Sequence, residues 1–365
     1  MATKEEVLKA LEEVMDPELN RNIVELDMVK EIKVDGGKVG VTVALTVPGC
    51  PMHARIQEDV RAAVAGLSGV REVEVKMTSM TEEERNALAQ KLMPQKEKQS
   101  RLLDPASTPQ VIAVASGKGG VGKSTVTVNL AAALSRLGKR VGILDADIYG
   151  FSVPRMLGLQ GKRPTALNEG AIIPLEAYGM QVISMGSFAD EDTPIIWRGP
   201  MLMKVLEQFL QDVLWDEGLD YLVVDMPPGT GDVAISLYQL LPHSKLVLVT
   251  TPQVVSTSVA SRMAHMAEST KQEIIGVIEN MSYFICPGSG QRAEIFGKGG
   301  GQALADALGV PLLGQIPLEN EVRDDADTGK PVVLEGSSSK AKEVLIEIAR
   351  KVEELAEKGV AARKS

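Results

Sequence analysis

The strongest chemistry in this sequence lies in GKGGVGKST, residues 117–125. The apolar run QVIAVAS precedes it and VTVNLAAALSRLG follows, so the G-x-x-x-x-G-K-[ST] pattern sits in the strand, loop and helix order that phosphate binding requires. Gly117, Gly119, Gly120 and Gly122, with Val121 among them, let successive backbone N–H groups curl around phosphate oxygens at a helix N-terminus. Lys123 is expected to reach between the β and γ phosphates, and the Ser124 hydroxyl, with Thr125 beside it, to face Mg2+. Lys118 is a second cation in the same loop, open at this point between a solvated surface charge and a role at a nucleotide.

Acidic strand ends supply what phosphoryl transfer to water needs besides the loop. In ILDADIYG, Asp145 and Asp147 lie at a strand terminus, and in YLVVDMPPGTGD an apolar run leads into Asp225. Asp225 is expected at the metal, Asp145 in support of Mg2+, and Asp147 at the attacking water. The glycines of PPGTGD suit a loop that responds to a γ phosphate. Asn280, closing the run GVIEN, has an amide able to pair with a purine edge, and Gln253 in VTTPQ is a second neighbour. The histidines, His53, His243 and His265, form no ligand spacing. The Met and Leu stripe of residues 185–210 fits core or dimer contact better than a cofactor site.

These groups need a parallel sheet to hold them. QVIAVAS, VGILDAD, LDYLVVDMP, KLVLVTTP, EIIGVIENM and VPLLGQIP are continuous apolar strands separated by helical segments, the pattern of a sheet covered on both faces. Ligands of such a sheet gather at the carboxyl ends of its strands. The predicted organisation is a small α+β domain over 1–93, a linker over 94–108, an α/β ATPase domain over 109–358 and a flexible tail over 359–365. In the small domain the expected order is a helix ending near Asp16-Pro17, two strands, a helix from His53 and a strand over 70–77.

Composition narrows the function classes. The net charge is −10 with no Lys/Arg block, so nucleic-acid binding has little electrostatic support. No apolar run is long enough to span a bilayer, and the acidic first residues are unlike a secretory signal, which makes the cytoplasm the expected compartment. The chain has two cysteines. Cys50, in VPGCPMH, stands just before a predicted helix, where first-turn N–H groups favour a thiolate; a buried residue capping the core is the other reading. Cys286, in YFICPGSGQ, has Ser289 where a Cys-x-x-Cys would put its second thiol.

The motifs SGKGGVGKSTV, LDADIYGFSVP, WRGPM, VDMPPGTGD, VTTPQ and GVIENMSYF with IFGKGG resemble the Mrp/NBP35 group of P-loop ATPases. That group falls in the class of MinD, ParA and nitrogenase iron protein. DPEL and LTVPGCPMH resemble the MIP18-type domain often fused to it. The resemblance implies an α/β P-loop NTPase fold with a mostly parallel sheet, and a homodimer whose ATP hydrolysis serves binding and transfer of a [4Fe-4S] cluster. Partners would be apo iron-sulfur proteins or cluster-assembly scaffolds. Lys118 would be the signature lysine that reaches the partner's nucleotide, Lys123 the phosphate lysine, Asp147 the switch aspartate and Cys50 the reactive cysteine of the small domain.

Members that carry a cluster usually show Cys-x-x-Cys after NMSYF. With Cys286 alone, the remaining ligands would have to be Ser289, an external thiol or Cys50. The leading expectation is an ATP-hydrolysing cluster carrier. A switch protein of the same fold that has lost cluster binding is the alternative, and a non-hydrolysing interaction module is a third reading.

Overall fold

A computed structural model describes the chain apart from residues 1, 17–20, 46–52, 82–83, 85–87, 89–108, 148–149, 168–170, 189–198, 230, 242, 254–256, 287, 335, 337–338 and 365. The side chains of residues 53, 199–202, 232–233, 257–259 and 358–364 are likewise outside the described set. Two compact units emerge: Met1–Gln95 with Thr165–Ile173 and Asp212–Asp216, and the remainder of the chain. The candidate linker 94–108 and Cys50 lie outside the described residues.

The first unit opens on the helix Lys4–Leu11, started by a reciprocal cap in which Thr3 accepts from the Glu6 backbone and Glu6 accepts from that of Thr3. Its short pair β1 (Met15–Asp16) and β2 (Arg21–Asn22) precedes β3 (Val29–Asp35) and β4 (Lys38–Leu45), which run antiparallel. The helix His53–Ala65 then carries the chain to β5 (Glu72–Ser79), parallel to β4. Val39, Val41 and Val43 of β4 alternate inward and are buried with Val7, Leu11, Ile56, Val60 and Val75. Period-two alternation thus faces one side of this small sheet to its helices.

The second unit is built on a sheet that has, among the described residues, the order β10-β11-β7-β12-β6-β13-β14-β17. Its strands are β6 (Gln110–Ala115), β7 (Val141–Asp145), β10 (Leu175–Ala177), β11 (Met180–Ser184), β12 (Tyr221–Asp225), β13 (Lys245–Thr250), β14 (Glu273–Glu279) and β17 (Leu312–Gln315). The pair β8 (Thr165–Ala166) and β9 (Ile172–Ile173) belongs to the first unit by contact, and β15 (Phe284–Ile285) with β16 (Arg292–Ala293) forms a hairpin of its own. Only β10 runs antiparallel within the large sheet as described. Every residue of β7, β12 and β13 is buried, which is why these strands read as unbroken apolar runs.

The helix Lys123–Arg136 packs with the final helix Lys340–Lys364 through Leu130, Leu134, Leu345, Ile348 and Val352. Leu206, Phe209 and Leu210 of the helix Gly199–Gln211 are buried, giving that part of the apolar stripe to the core. The final helix continues to Lys364, through the residues expected as a tail from 359, and its Ala361, Ala362, Arg363 and Lys364 are all strong helix formers. From β6 the chain goes to β7 on one side and later to β13 on the other, so the strand order reverses at β6 and opens a crevice at its carboxyl end.

Candidate functional site

Register sets the floor of the site. Ser184 pairs across from Asp145, Asp145 across from Asp225, and Asp225 across from Val114, one row over β11, β7, β12 and β6. Neighbouring strands are about 4.8 Å apart and residues in one row share a face, so two carboxylates are forced together under the first turn of the helix Lys123–Arg136.

That helix begins at Gly122, which has φ of +79° and offers no side-chain cap. A side chain at this position would be strained, and its Cβ would stand 2.2 Å from Asn280 Nδ2. Glycine therefore lets the loop close against Asn280, whose Nδ2 donates to the Val121 carbonyl at 2.9 Å. The first-turn N–H groups of the helix are left without a side-chain acceptor from Gly122, as an anion-binding loop requires. Gly117 is half-buried, while Lys118, Gly119 and Gly120 are exposed at the rim. Lys118 Nζ donates to Gln253 Oε1 at 2.8 Å, joining two residues that the sequence named separately.

Asp225 is wholly buried and is the most crowded acceptor of the site. Lys123 Nζ donates to its Oδ1 at 2.7 Å, Ser124 Oγ to its Oδ2 at 2.5 Å, and Thr127 Oγ1 to its Oδ1 at 2.8 Å. Lys123 also lies 3.3 Å from Asp147 Oδ2. Asp145 accepts from the Asp147 N–H at 3.2 Å and from Ser184 Oγ at 2.8 Å. Thr125 is half-buried, and its carbonyl accepts from Asn129 Nδ2 at 2.9 Å. Behind Asp225, the Gly229 N–H donates to the Ser116 carbonyl at 2.8 Å, tying the PPGTGD loop to the strand that feeds the phosphate loop.

Burial raises both buried carboxylates from their ordinary range. Asp145 is held well above it by desolvation and then by the neighbouring charge of Asp225. Asp225 is raised by desolvation and pulled back by Lys123, Ser124 and Thr127. Of the two, Asp145 is the more strongly disfavoured as a charge, because Asp225 has the ammonium of Lys123 beside it.

The donor chemistry fits Mg2+ brought with a nucleotide. Ser124, Asp145 and Asp225 offer hard oxygens, and among the described residues no group of three or more His, Cys, Asp or Glu side chains forms a metal cage. Mg2+ that takes phosphate oxygens and keeps its waters needs no such cage.

Thr127 and Ser184 were not legible in the sequence, one lying a turn inside the helix and the other on a strand the apolar pattern did not reveal. Thr127→Val is expected to cost on the order of 1 kcal/mol in urea unfolding and about tenfold in ATP turnover, by loosening Asp225 behind its partners. Thr127→Ser restores both, because it returns the hydroxyl.

The thiol candidates are placed differently. Cys286 lies at the end of β15 in a turn where its N–H donates to the Gln291 carbonyl at 3.0 Å and its carbonyl accepts from Gly290 at 2.8 Å. It is a free, partly exposed thiol, held below its usual range by the Ser289 hydroxyl and then by the backbone N–H groups of Gly288 and Ser289. These observations correct the expectation of a cluster carrier. Among the described residues no metal-holding group forms at this turn, Cys50 falls outside them, and a dimer brings from Cys286 fewer thiols than a fully thiolate-held [4Fe-4S] cluster takes. Ser289 faces the thiol as a hydrogen-bonding hydroxyl in place of a second sulfur.

Comparison with known proteins places the chain among P-loop NTPases. The model of the NUBPL iron-transfer P-loop NTPases matches residues 107–353, and that of the iron-sulfur cluster assembly proteins matches residues 4–76. An iron-sulfur cluster carrier protein of Mycobacterium leprae is 47% identical over 354 residues, which is 95% of this chain and 91% of that relative. The nucleotide-binding protein of Archaeoglobus fulgidus, solved in complex with ADP, is similar at TM-score 0.57 and 35% identity over 65% of this chain and 92% of its own. MinD, the cell division ATPase of Pyrococcus furiosus, shares the fold at TM-score 0.50 and 22% identity, over 68% of this chain and 100% of its own. The phosphate loop with its buried lysine and paired aspartates is accordingly an ATPase site. With one model matching residues 107–353, more than half of the chain, and relatives alike over nearly the full length, the chain belongs to the NUBPL iron-transfer P-loop NTPase family.

Proposed function

We propose that this protein is an ATP-driven switch whose nucleotide state sets its hold on a protein partner, and that it works without a bound [4Fe-4S] cluster. The observation that carries this reading is a phosphate loop whose Lys123 is paired with the buried Asp225, in a chain whose Cys286 stands opposite a serine hydroxyl instead of a second thiol. The partner would be an apo iron-sulfur protein or an assembly scaffold, a class supported by the families the chain matches. The working form would be a cytoplasmic homodimer, with Lys118 turning from Gln253 to the phosphates of the partner's nucleotide. The units proposed to work together are a small domain over 1–93 and an ATPase domain over 109–358, joined by 94–108.

In this reading the loop N–H groups from Gly117 to Gly122 and the first turn at Ser124 and Thr125 hold the phosphates, and Asn280 reads the purine with the amide atoms not given to Val121. Lys123 leaves Asp225 and Asp147 for the β and γ phosphate oxygens, a short movement of a buried flexible stem. Mg2+, held by Ser124 with Asp225 and Asp145 behind it, would neutralise charge on those oxygens. Asp147, freed of Lys123, orients the water that attacks the γ phosphorus as its bond to the β–γ bridging oxygen breaks. ADP, inorganic phosphate and a proton leave. Slow turnover is expected, because a switch needs an ATP state that persists.

The test uses the full chain and its Cys50→Ala, Cys286→Ala double variant, each loaded with ADP or a non-hydrolysable ATP analogue and passed over an immobilised apo iron-sulfur protein. Binding that differs between nucleotides and survives loss of both thiols is the expected result. Binding that ignores the nucleotide, or vanishes with the thiols, overturns the reading.

A further inference from the structure

Glu279, the last residue of β14, is wholly buried and belongs to no part of the nucleotide chemistry described above. Its Oε1 accepts from Ser282 Oγ at 2.5 Å and from Gln315 Nε2 at 2.7 Å, and its Oε2 accepts from the Gly301 N–H at 2.6 Å. A carboxylate taken out of water is retained only when donors surround it in this way. The approach is close: a Cβ on Gly301 would stand 2.6 Å from Glu279 Cβ, so the helix Gly300–Leu308 is seated directly on this side chain.

Two short routes lead from the phosphate loop to this point. By the first, the Val121 carbonyl is held by Asn280, the residue next to Glu279. By the second, Lys118 holds Gln253, whose neighbour Pro252 accepts at its carbonyl from the Gly300 N–H at 3.0 Å, one residue before the Gly301 N–H that donates to Glu279. Onward from Glu279 the path leads to the Cys286 hairpin. Ser282 gives its hydroxyl to Glu279 and its N–H to the Ile316 carbonyl at 2.8 Å, and the Tyr283 carbonyl accepts from Leu318 at 2.7 Å just before β15 begins. Met281, between the two pinned residues Asn280 and Ser282, has φ of +54°. A non-glycine residue in the left-handed region stores strain and offers a place where the backbone can change basin.

We propose that Glu279 is a positioning residue that couples the phosphate loop to the β15–β16 hairpin, so that this hairpin is the element by which the nucleotide state is shown to a partner. The inference rests on the switch reading and names its output. When a phosphate displaces Lys118 or the Val121 peptide, Gln253 or Asn280 must follow. Glu279, fixed by three donors, transmits that shift to Ser282 instead of absorbing it. A carboxylate suits the position because all its partners donate; glutamine would aim an N–H2 group at one of them.

Cys286 serves as the reporter. In a Cys50→Ala background its alkylation rate is measured with Mg-ADP or with a non-hydrolysable ATP analogue, in the parent and in Glu279→Gln and Ser282→Ala. Nucleotide affinity is read separately with a fluorescent ADP, and folding by thermal melting. The parent is expected to change its rate about fivefold or more between nucleotides, the low end of ordinary allosteric coupling, and both variants to fall within about twofold while still binding nucleotide. A parent that binds both nucleotides with one alkylation rate overturns the coupling, and so do folded variants that keep the full difference. Should Glu279→Gln fail to fold, Ser282→Ala decides alone, since it removes a single donor. Partner binding that ignores the nucleotide while Cys286 still reports it would sink the switch reading and leave the coupling standing.

Discussion

Lys123→Ala is expected to lower ATP turnover by about a thousandfold, the scale of losing a preorganised charge aimed at the transition state. Lys123 is 6% exposed and lies 2.7 Å from Asp225 and 3.3 Å from Asp147, so its ammonium is already desolvated within a movement of the phosphates. The variant should nevertheless fold. Removing one partner of a buried ion pair is severe only when the other must stay charged. Here Asp225 is already raised by desolvation, and without Lys123 it takes up a proton while Ser124 and Thr127 continue to hold it. Nucleotide binding survives in part, because the backbone N–H groups of the loop are untouched. Steady-state hydrolysis measured beside fluorescent-ADP binding separates the two effects. Lys123→Arg should not rescue turnover, since a planar guanidinium does not fit a site filled by a compact ammonium. Turnover within about tenfold of the parent would show that the lysine at this position is not the one that meets the transferred phosphate.

Much of this site could be read from the sequence because its parts are local. GKGGVGKST contains its own turn, its own helix start and its own cation, and the strands that end in Asp145 and Asp225 announce themselves as apolar runs buried on both faces. What escaped was held by tertiary register. The strand β11 follows a two-residue hairpin turn at Tyr178 and Gly179, with φ of +53° and +75°, and tyrosine is a poor herald of a turn that asks for positive φ at both positions. With β11 unseen, the Ser184 hydroxyl on Asp145 was unseen as well. Thr127 resembles any helical threonine until β12 is placed beneath it. The cluster carrier was expected from resemblance of motifs across nearly the whole chain, yet the chemistry turned on one atom, the oxygen of Ser289 where sulfur was required. Family motifs report how the backbone is arranged, and the ligand set has to be counted residue by residue.

Asp145→Asn is expected to separate stability from activity. Asp145 is raised by burial and by Asp225, so in the folded, nucleotide-free chain it binds its proton above the range, near 3.9, at which the unfolded chain releases it. Below that range both states are protonated and the preference of the fold for neutral Asp145 contributes in full. As the pH rises through the folded value this contribution is lost, because the unfolded chain ionises first while the native pair resists. Stability from this group therefore declines from roughly pH 4 upward. Asparagine is neutral throughout, can accept from the Asp147 N–H and can donate to Ser184 Oγ, so the row across β11, β7 and β12 is kept. The variant should be more stable than the parent near neutral pH by about 1 kcal/mol, as when a charge kept for function is removed from an active site. Its turnover should fall about a hundredfold, for want of the charge that supports the metal. Melting temperatures of both proteins over pH 4 to 8 or so, without nucleotide, make the check. Curves that run parallel would mean that Asp145 is ionised in the fold. Curves that diverge as the pH rises mean that the empty site holds its second carboxylate neutral, and that Mg2+ arriving with a nucleotide has to release that proton before both aspartates can serve it.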